Sequence, residues 1–237
     1  MKMKKILIML LVVGLLTSVV FAKEIKVITV DSSLPVKEMQ RLADSHKQDV
    51  DQYTYILEHS RYYTLSELII AFEELEISQA YYTYYSTAVE QYWKAKMDEY
   101  PVATTIWRYL TEELEFSDYV AAGIMGNMMV ESGGHSLNID PHNWDDATGR
   151  SFYGICQWGG YYPEIHNQGL EEQLKFLGEN IEDEFDMMGF SYSKFLSTTS
   201  VETAARTFCR AYERPPAQYE NPRVPCAYTA YDYFAGN

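Results

Sequence analysis

Basic residues are scarce in this 237-residue chain, where 19 Lys and Arg stand against 34 Asp and Glu for a formal charge of −15. Such a surface gives a polyanion no electrostatic footing, so a nucleic-acid partner is not expected. Cysteine is scarcer still, with three residues at 156, 209 and 226. None stands in Cys-x-x-Cys spacing and no His-Glu-x-x-His occurs, so the usual zinc and redox signatures are absent and no metal or cofactor is expected. His135, Asp140 and His142 lie close together, but Pro141 and the flanking Asn and Asp residues read as an ordinary loop. Long apolar runs are missing beyond the first two dozen residues, which leaves no candidate for a membrane span downstream. There is also no internal repeat and no low-complexity linker.

At the N-terminus, Met1-Lys-Met-Lys-Lys5 precedes an apolar stretch from Ile6 to Val20 and the small-residue end Val20-Phe-Ala22. This pattern reads as a secretion signal over residues 1–22. At about 15 residues the run falls short of the 18 or more expected of a spanning anchor, and no Cys near the cut suggests a lipoprotein. Cleavage would remove Lys2, Lys4 and Lys5 and lower the net charge from −15 to −18. The expected location is therefore outside the cytoplasmic membrane, secreted or attached to the envelope. In that oxidising setting Cys209 and Cys226 are candidates for a bridge, with Cys156 left over.

Residues 23–100 read as a separate helical region. After an alternating stretch, Glu24 to Val30, apolar or tolerated residues recur at Val36, Met39, Ala43, His46, Val50, Tyr53 and Leu57, then at Leu65, Leu68, Phe72, Leu75, Gln79, Tyr82, Ser86, Val89 and Trp93. Both registers follow the three-four spacing of a coiled-coil-like seam. Thr64-Leu-Ser-Glu67 is a capping box that starts the second helix, so the simplest architecture is an antiparallel hairpin ending near Pro101. Tyrosines at 81, 82, 84, 85 and 92 cover more than one face of that helix. They either pack the hairpin or offer aromatic surface for glycan stacking, a protein partner or self-association.

The chemistry concentrates further on. Glu131 ends an apolar helical run, Tyr119 to Val130, and is followed at once by the helix stop Ser132-Gly133-Gly134. A helix C-terminus carries partial negative charge and apolar neighbours desolvate a carboxylate, so both favour the protonated form a general acid needs. A basic residue would suit that last turn better, and a local rule broken this way often marks function. About twenty residues on, Tyr153-Gly-Ile-Cys-Gln-Trp-Gly-Gly160 combines close-approach glycines, the amide of Gln157 and the flat face of Trp158, a mixture suited to sugars. Between them lie Asp145 and Asp146, candidates for the second carboxylate of a glycosidase, or otherwise part of a turn-forming Asn-Trp-Asp-Asp segment. Ser200 to Tyr212 reads as a helix begun by a Ser cap and ended before Pro215, which places Tyr212 at its last turn. Cys156 lacks a papain-like setting and reads as a small packing residue.

Ala122-Gly-Ile-Met-Gly-Asn127, Glu131-Ser-Gly133, Tyr153-Gly-Ile-Cys-Gln-Trp-Gly159, Glu172-Gln-Leu174 and Tyr212-Glu-Arg-Pro215 are five collinear blocks that together resemble the phage tail lysozyme family, relatives of goose-type lysozymes and lytic transglycosylases. The resemblance implies a mainly α, lysozyme-like catalytic domain over residues 101–237, preceded by the N-terminal helical hairpin. It implies cleavage of the MurNAc–GlcNAc β-1,4 bond of peptidoglycan with Glu131 as acid, Ser132 supporting it, and Gln157, Trp158 and Tyr212 lining the glycan cleft. A thiol at 156 departs from the family's pattern. Two alternatives stay open, a lytic transglycosylase that leaves anhydro-MurNAc ends and a non-catalytic wall-binding module.

Overall fold

The computed structural model describes residues 34–146, 151–160, 162–216 and 220–235, and the chain divides into two compact units, Met1–Glu90 and Gln91–Asn237. The segment read as a secretion signal and the alternating stretch after it lie outside the described residues. The protein is mainly α, and among the described residues no helix is long and apolar enough to cross a membrane.

The first unit holds the expected hairpin. Helix α1 (Val36–Glu58) and the start of α2 (Leu65–Glu99) are joined by a short 3-10 turn at Ser60–Tyr62. The capping box forms as the sequence predicts, with Thr64 N donating to Glu67 Oε2 at 2.6 Å and Glu67 N to Thr64 Oγ1 at 3.3 Å. Val36, Met39 and Ala43 of α1 and Ala71, Ser78, Tyr85 and Val89 of α2 are buried. The His46 ring stacks on Tyr81 at 4.8 Å between centroids, so it fills the seam as a flat packing residue. Tyr55, Tyr62 and Tyr84 remain exposed.

The second unit is built around α4 (Asp118–Glu131). Ser117 caps its start by accepting from Val120 N at 3.3 Å. Every residue from Val120 to Met129 is buried, the mark of a helix surrounded by protein on all sides. Around it lie α3 (Pro101–Arg108), α5 (Leu170–Met187), the short α6 (Tyr192–Leu196), α7 (Val201–Phe208) and α8 (Arg223–Phe234). A two-residue antiparallel pair, β1 (Trp144–Asp145) and β2 (Phe152–Tyr153), is the only sheet among the described residues. The end of α2 is tied into this unit through Lys96, whose Nζ donates to Tyr233 O at 2.6 Å and sits over the Tyr233 ring at 3.5 Å.

Two glycines let the neighbours of α4 come close. A Cβ at Gly123 would stand 2.5 Å from the Ala204 Cβ of α7, and one at Gly126 would stand 2.5 Å from the Ala227 backbone nitrogen of α8. Backbone cannot move aside as a flexible side chain can, so Gly126→Ala is expected to lower stability by about 1–3 kcal/mol, as overpacking typically does. Urea denaturation monitored by circular dichroism measures this; an unchanged midpoint would mean that α8 has room to retreat. The close approach at Gly126 also brings the first turn of α8, including Arg223, against the last turns of α4.

Candidate active site

Glu131 is the final residue of α4, with Ser132 as its C-cap. Its carboxyl is bound by Arg223 Nη2 from the start of α8, while Arg223 Nη1 donates to Asn127 O at 3.4 Å. The Arg223 side chain is 2% exposed and that of Glu131 20% exposed. The cation is thus buried behind the carboxylate, which keeps an outward-facing edge. The sequence placed only apolar neighbours beside Glu131, whereas the fold supplies a guanidinium from 92 positions away.

A second carboxyl lies in the same cluster. After α7, begun by the predicted Ser200 cap (Thr203 N to Ser200 Oγ, 3.2 Å), the helix loosens into a π-helical turn at Cys209–Glu213. It closes on Arg214 in the left-handed region (φ 53, ψ 40). Such turns carry one extra residue and re-aim the side chains at their end. Glu213 is aimed inward, and its Oε1 is buried with no hydrogen-bond partner among the described residues. Burial, reinforced by the negative charge of Glu131, pushes its carboxyl well above the usual carboxylate range, against the opposing pull of Arg223. Cys156, fully buried, neighbours Glu213 as a weak donor, and burial with the adjacent carboxyls pushes its thiol up. A thiol held protonated is no nucleophile.

Stability should therefore depend on pH. A carboxyl raised in the fold is protonated there at pH values where the unfolded chain has already released that proton, so stability is fully present below the unfolded value and is lost as pH rises through the folded one. Denaturation midpoints are expected to fall from about pH 5 towards about pH 8, and Glu213→Gln is expected to flatten that slope. A variant with an unaltered slope would remove Glu213 as its source.

The loop that faces α4 is fixed by side chains reaching across it. Ser132 Oγ donates to Met128 O (3.2 Å) and Ile155 O (3.3 Å), pinning the end of α4 to the Gly-rich segment. Gln173, fully buried on α5, accepts from Ile155 N at 2.9 Å and donates to Pro141 O (2.7 Å) and Gln168 O (2.9 Å). Gly154 has φ +81 and presses on Gln173 so closely that a Cβ would collide with it; both requirements select glycine. Asn143 Nδ2 donates to Glu131 O at 3.2 Å, which brings the β1–β2 hairpin beside the acid.

Of the residues singled out in the sequence, Gln157 adopts φ 48 and donates from Nε2 to Asn143 O and Gly154 O, each at 3.0 Å. Trp158 and Tyr212 are buried at 4% and 7% exposure, and the indole Nε1 donates to the Tyr212 hydroxyl at 3.0 Å. Their faces are taken by protein, with Tyr212 stacked on Phe208 at 4.8 Å and Trp158 edge-on to Phe176 at 5.7 Å. Asp145 and Asp146 are exposed. Hydrogen bonds from the Trp144 and Ser151 side chains hold the Asp146 carboxyl below its usual range, so it stays ionised. The exposed ring on this hairpin is Trp144, at 44%, which meets Tyr153 and His166 edge-on. The His142 ring shares a 2.8 Å hydrogen bond with the Tyr153 hydroxyl, and Asp140 Oδ1 accepts from His142 N. All three cysteines are free and buried, so the Cys209–Cys226 bridge considered from the sequence is not formed. Cys226 instead directs its thiol at His135 O, 3.8 Å away.

A sequence profile described as phage tail lysozyme matches residues 101–234. The chain belongs to the phage tail lysozyme family. That membership gives it a lysozyme-like, peptidoglycan-cleaving function. No curated protein matches it. In this phage tail lysozyme, the five sequence blocks converge on one cluster. Gly123, Gly126 and Asn127 seat the neighbours of α4, and Gln173 and Gly154 fix the loop. Glu131 and Glu213 provide the carboxyls.

Arg223, Glu213, Gln173 and Asn143 were not assigned roles from the sequence. Glu213 and Gln173 stood inside recognised blocks, which was the available signal. Arg223 stood outside them and carried none.

Proposed function

We propose that this phage tail lysozyme is a muramidase that cleaves the MurNAc–GlcNAc β-1,4 bond with Glu131 as general acid. The observation that carries the reading is the Glu131 carboxyl itself, held by a buried Arg223 at the end of a helix buried from Val120 to Met129, yet left with an outward edge. Glycoside cleavage needs a fixed acid at the leaving oxygen, and a rigid helix end backed by a buried cation supplies fixed geometry. The β1–β2 hairpin, tied to Glu131 O through Asn143, offers Asp145 and Asp146 as the second carboxylate. Asp146, held ionised, suits the activation of a water. Gln157 positions the loop for the glycan, with Ser132 fixing the acid's backbone. Trp158 and Tyr212 support this wall from behind, and Trp144 presents the ring on which a sugar stacks. The N-terminal pattern of residues 1–22 supports export, which brings the enzyme to its substrate. The exposed tyrosines of the hairpin suit a protein partner or self-association.

Digestion of purified peptidoglycan, with products read by mass spectrometry after borohydride reduction, tests the bond and the reaction together. Reducible MurNAc ends are the expected product. Anhydro-MurNAc ends would make the protein a lytic transglycosylase, and reducible GlcNAc ends would place the cut at the other glycosidic bond.

A further inference from the structure

We propose that the N-terminal hairpin is a surface for a second copy of this chain, on which α2 docks against α2 of the copy, antiparallel and centred on Ile77. The contact is independent of which glycosidic bond the enzyme cleaves.

The hairpin buries little of its own apolar surface. Its seam joins Val36, Met39 and Ala43 to Ala71, Ser78, Tyr85 and Val89, and three of these side chains are small. A helical unit of this size commonly completes its core by oligomerising. One position before the buried row of α2 runs a second row, Ile70, Ile77 and Tyr84, spaced by seven and therefore on one face of the helix. Ile70 is 57% exposed and Tyr84 38% exposed, with Ile77 half-buried between them. The corresponding row on α1, one position before Ala43 and at each seventh residue after that, is Leu42, Asp49 and Ile56. The two helices run in opposite directions, with His46 of α1 stacked on Tyr81 of α2. Rows that precede the seam by the same step then lie on the same side of the hairpin. Their five apolar residues form one face, and Asp49 confines its centre to α2.

The row on α2 is complementary to itself. A twofold axis at Ile77 sets that residue against its own copy and Ile70 against Tyr84 of the copy, as an isologous contact requires, over about 21 Å of helix. Charge selects this orientation. The turn end of the hairpin, residues 48–78, carries seven Asp and Glu against one Arg, whereas residues 36–47 and 79–90 together carry three of each sign. Two hairpins docked with their turns together would crowd both acidic ends, and like charges in close register repel. With the turns at opposite ends, the acidic end of each copy comes level with the end of the other that holds Lys37, Arg41 and Lys47. Four helices then share one core, and the particle carries two catalytic units.

The test is sedimentation velocity of the mature protein over a wide concentration range, beside its Ile77→Asp variant. The parent is expected to dimerise, and Ile77→Asp, which sets two carboxylates together on the axis, is expected to raise the dissociation constant by about 100-fold or more. A parent that stays monomeric throughout, or a variant that dimerises as the parent does, would overturn the proposal. Orientation is read by oxidative cross-linking of single-cysteine variants, the native cysteines all being buried. Ile77→Cys is expected to link to its own copy, and Ile70→Cys to link to Tyr84→Cys in a mixture of the two rather than to itself. Ile70→Cys linking chiefly to itself would put the turns together and overturn the antiparallel contact. Should Ile77→Asp lose its helical circular dichroism, Ile77→Cys decides, and the absence of its link would overturn the proposal. Neither readout depends on catalysis, so failure of the muramidase reading shows separately, as a parent without activity or a Glu131→Gln variant that retains it.

Discussion

Glu131→Gln is expected to reduce muropeptide release by about 10²–10⁴-fold, the range associated with loss of a general acid. Gln has the same shape and still offers an oxygen to Arg223, so α4, its cap at Ser132 and the link from Asn143 to Glu131 O remain. What disappears is the proton at the outward edge. Turbidity loss of a wall suspension, followed alongside a thermal melt of each protein, separates chemistry from folding. A tenfold or smaller reduction with an unchanged melt would move the acid role away from Glu131.

Arg223→Met should produce the largest change in stability, a loss of about 3–5 kcal/mol near neutral pH, as expected when one member of a buried ion pair is removed and the other is left uncompensated. The effect has a direction in pH. The carboxyl of Glu213, already raised by burial and then without the pull of Arg223, takes up a proton more readily in the folded protein than in the unfolded chain, so the deficit should shrink as pH falls and grow as it rises. Adding Glu131→Gln to Arg223→Met should recover part of the loss, because the buried charge goes with it. Urea denaturation of the two single variants and the double variant at about pH 5 and about pH 7.5 gives the coupling directly. Additive effects, with no dependence on pH, would show that Arg223 acts through packing of its stem.

What the sequence made legible was local. The cap at Ser200, the capping box at Thr64–Glu67 and the long buried α4 each follow from residues within a few positions of one another, and each forms as expected. Glu131 stood out because an acid at a helix C-terminus breaks a local rule, and the fold shows how the break is tolerated. Arg223, remote in sequence, arrives through the close approach that Gly126 permits. No periodicity announces such a pairing. Trp158 was read as a cleft residue from its flat face and Tyr212 from its place at a helix end and the family resemblance; in the fold the indole Nε1 donates to the Tyr212 hydroxyl across 54 positions, and both rings are packed against protein. Trp144, lodged in what read as a turn, is the exposed ring of the hairpin. Glu213 needed the π-helical turn as well, since a regular helix would continue the α7 register and aim the side chain elsewhere. The free cysteines obey the same logic: Cys226 is taken by the His135 carbonyl, and Cys156 by Glu213.

The most direct test of Glu131 as the acid of a muramidase is digestion of purified peptidoglycan by the mature protein and by Glu131→Gln in parallel, with released ends identified by mass spectrometry. Reducible MurNAc ends are predicted from the parent, and a trace at most from the variant. Equal release by both proteins, or none from either on walls of several chemotypes while both still bind, would contradict that role and leave a lysozyme-like fold used for attachment.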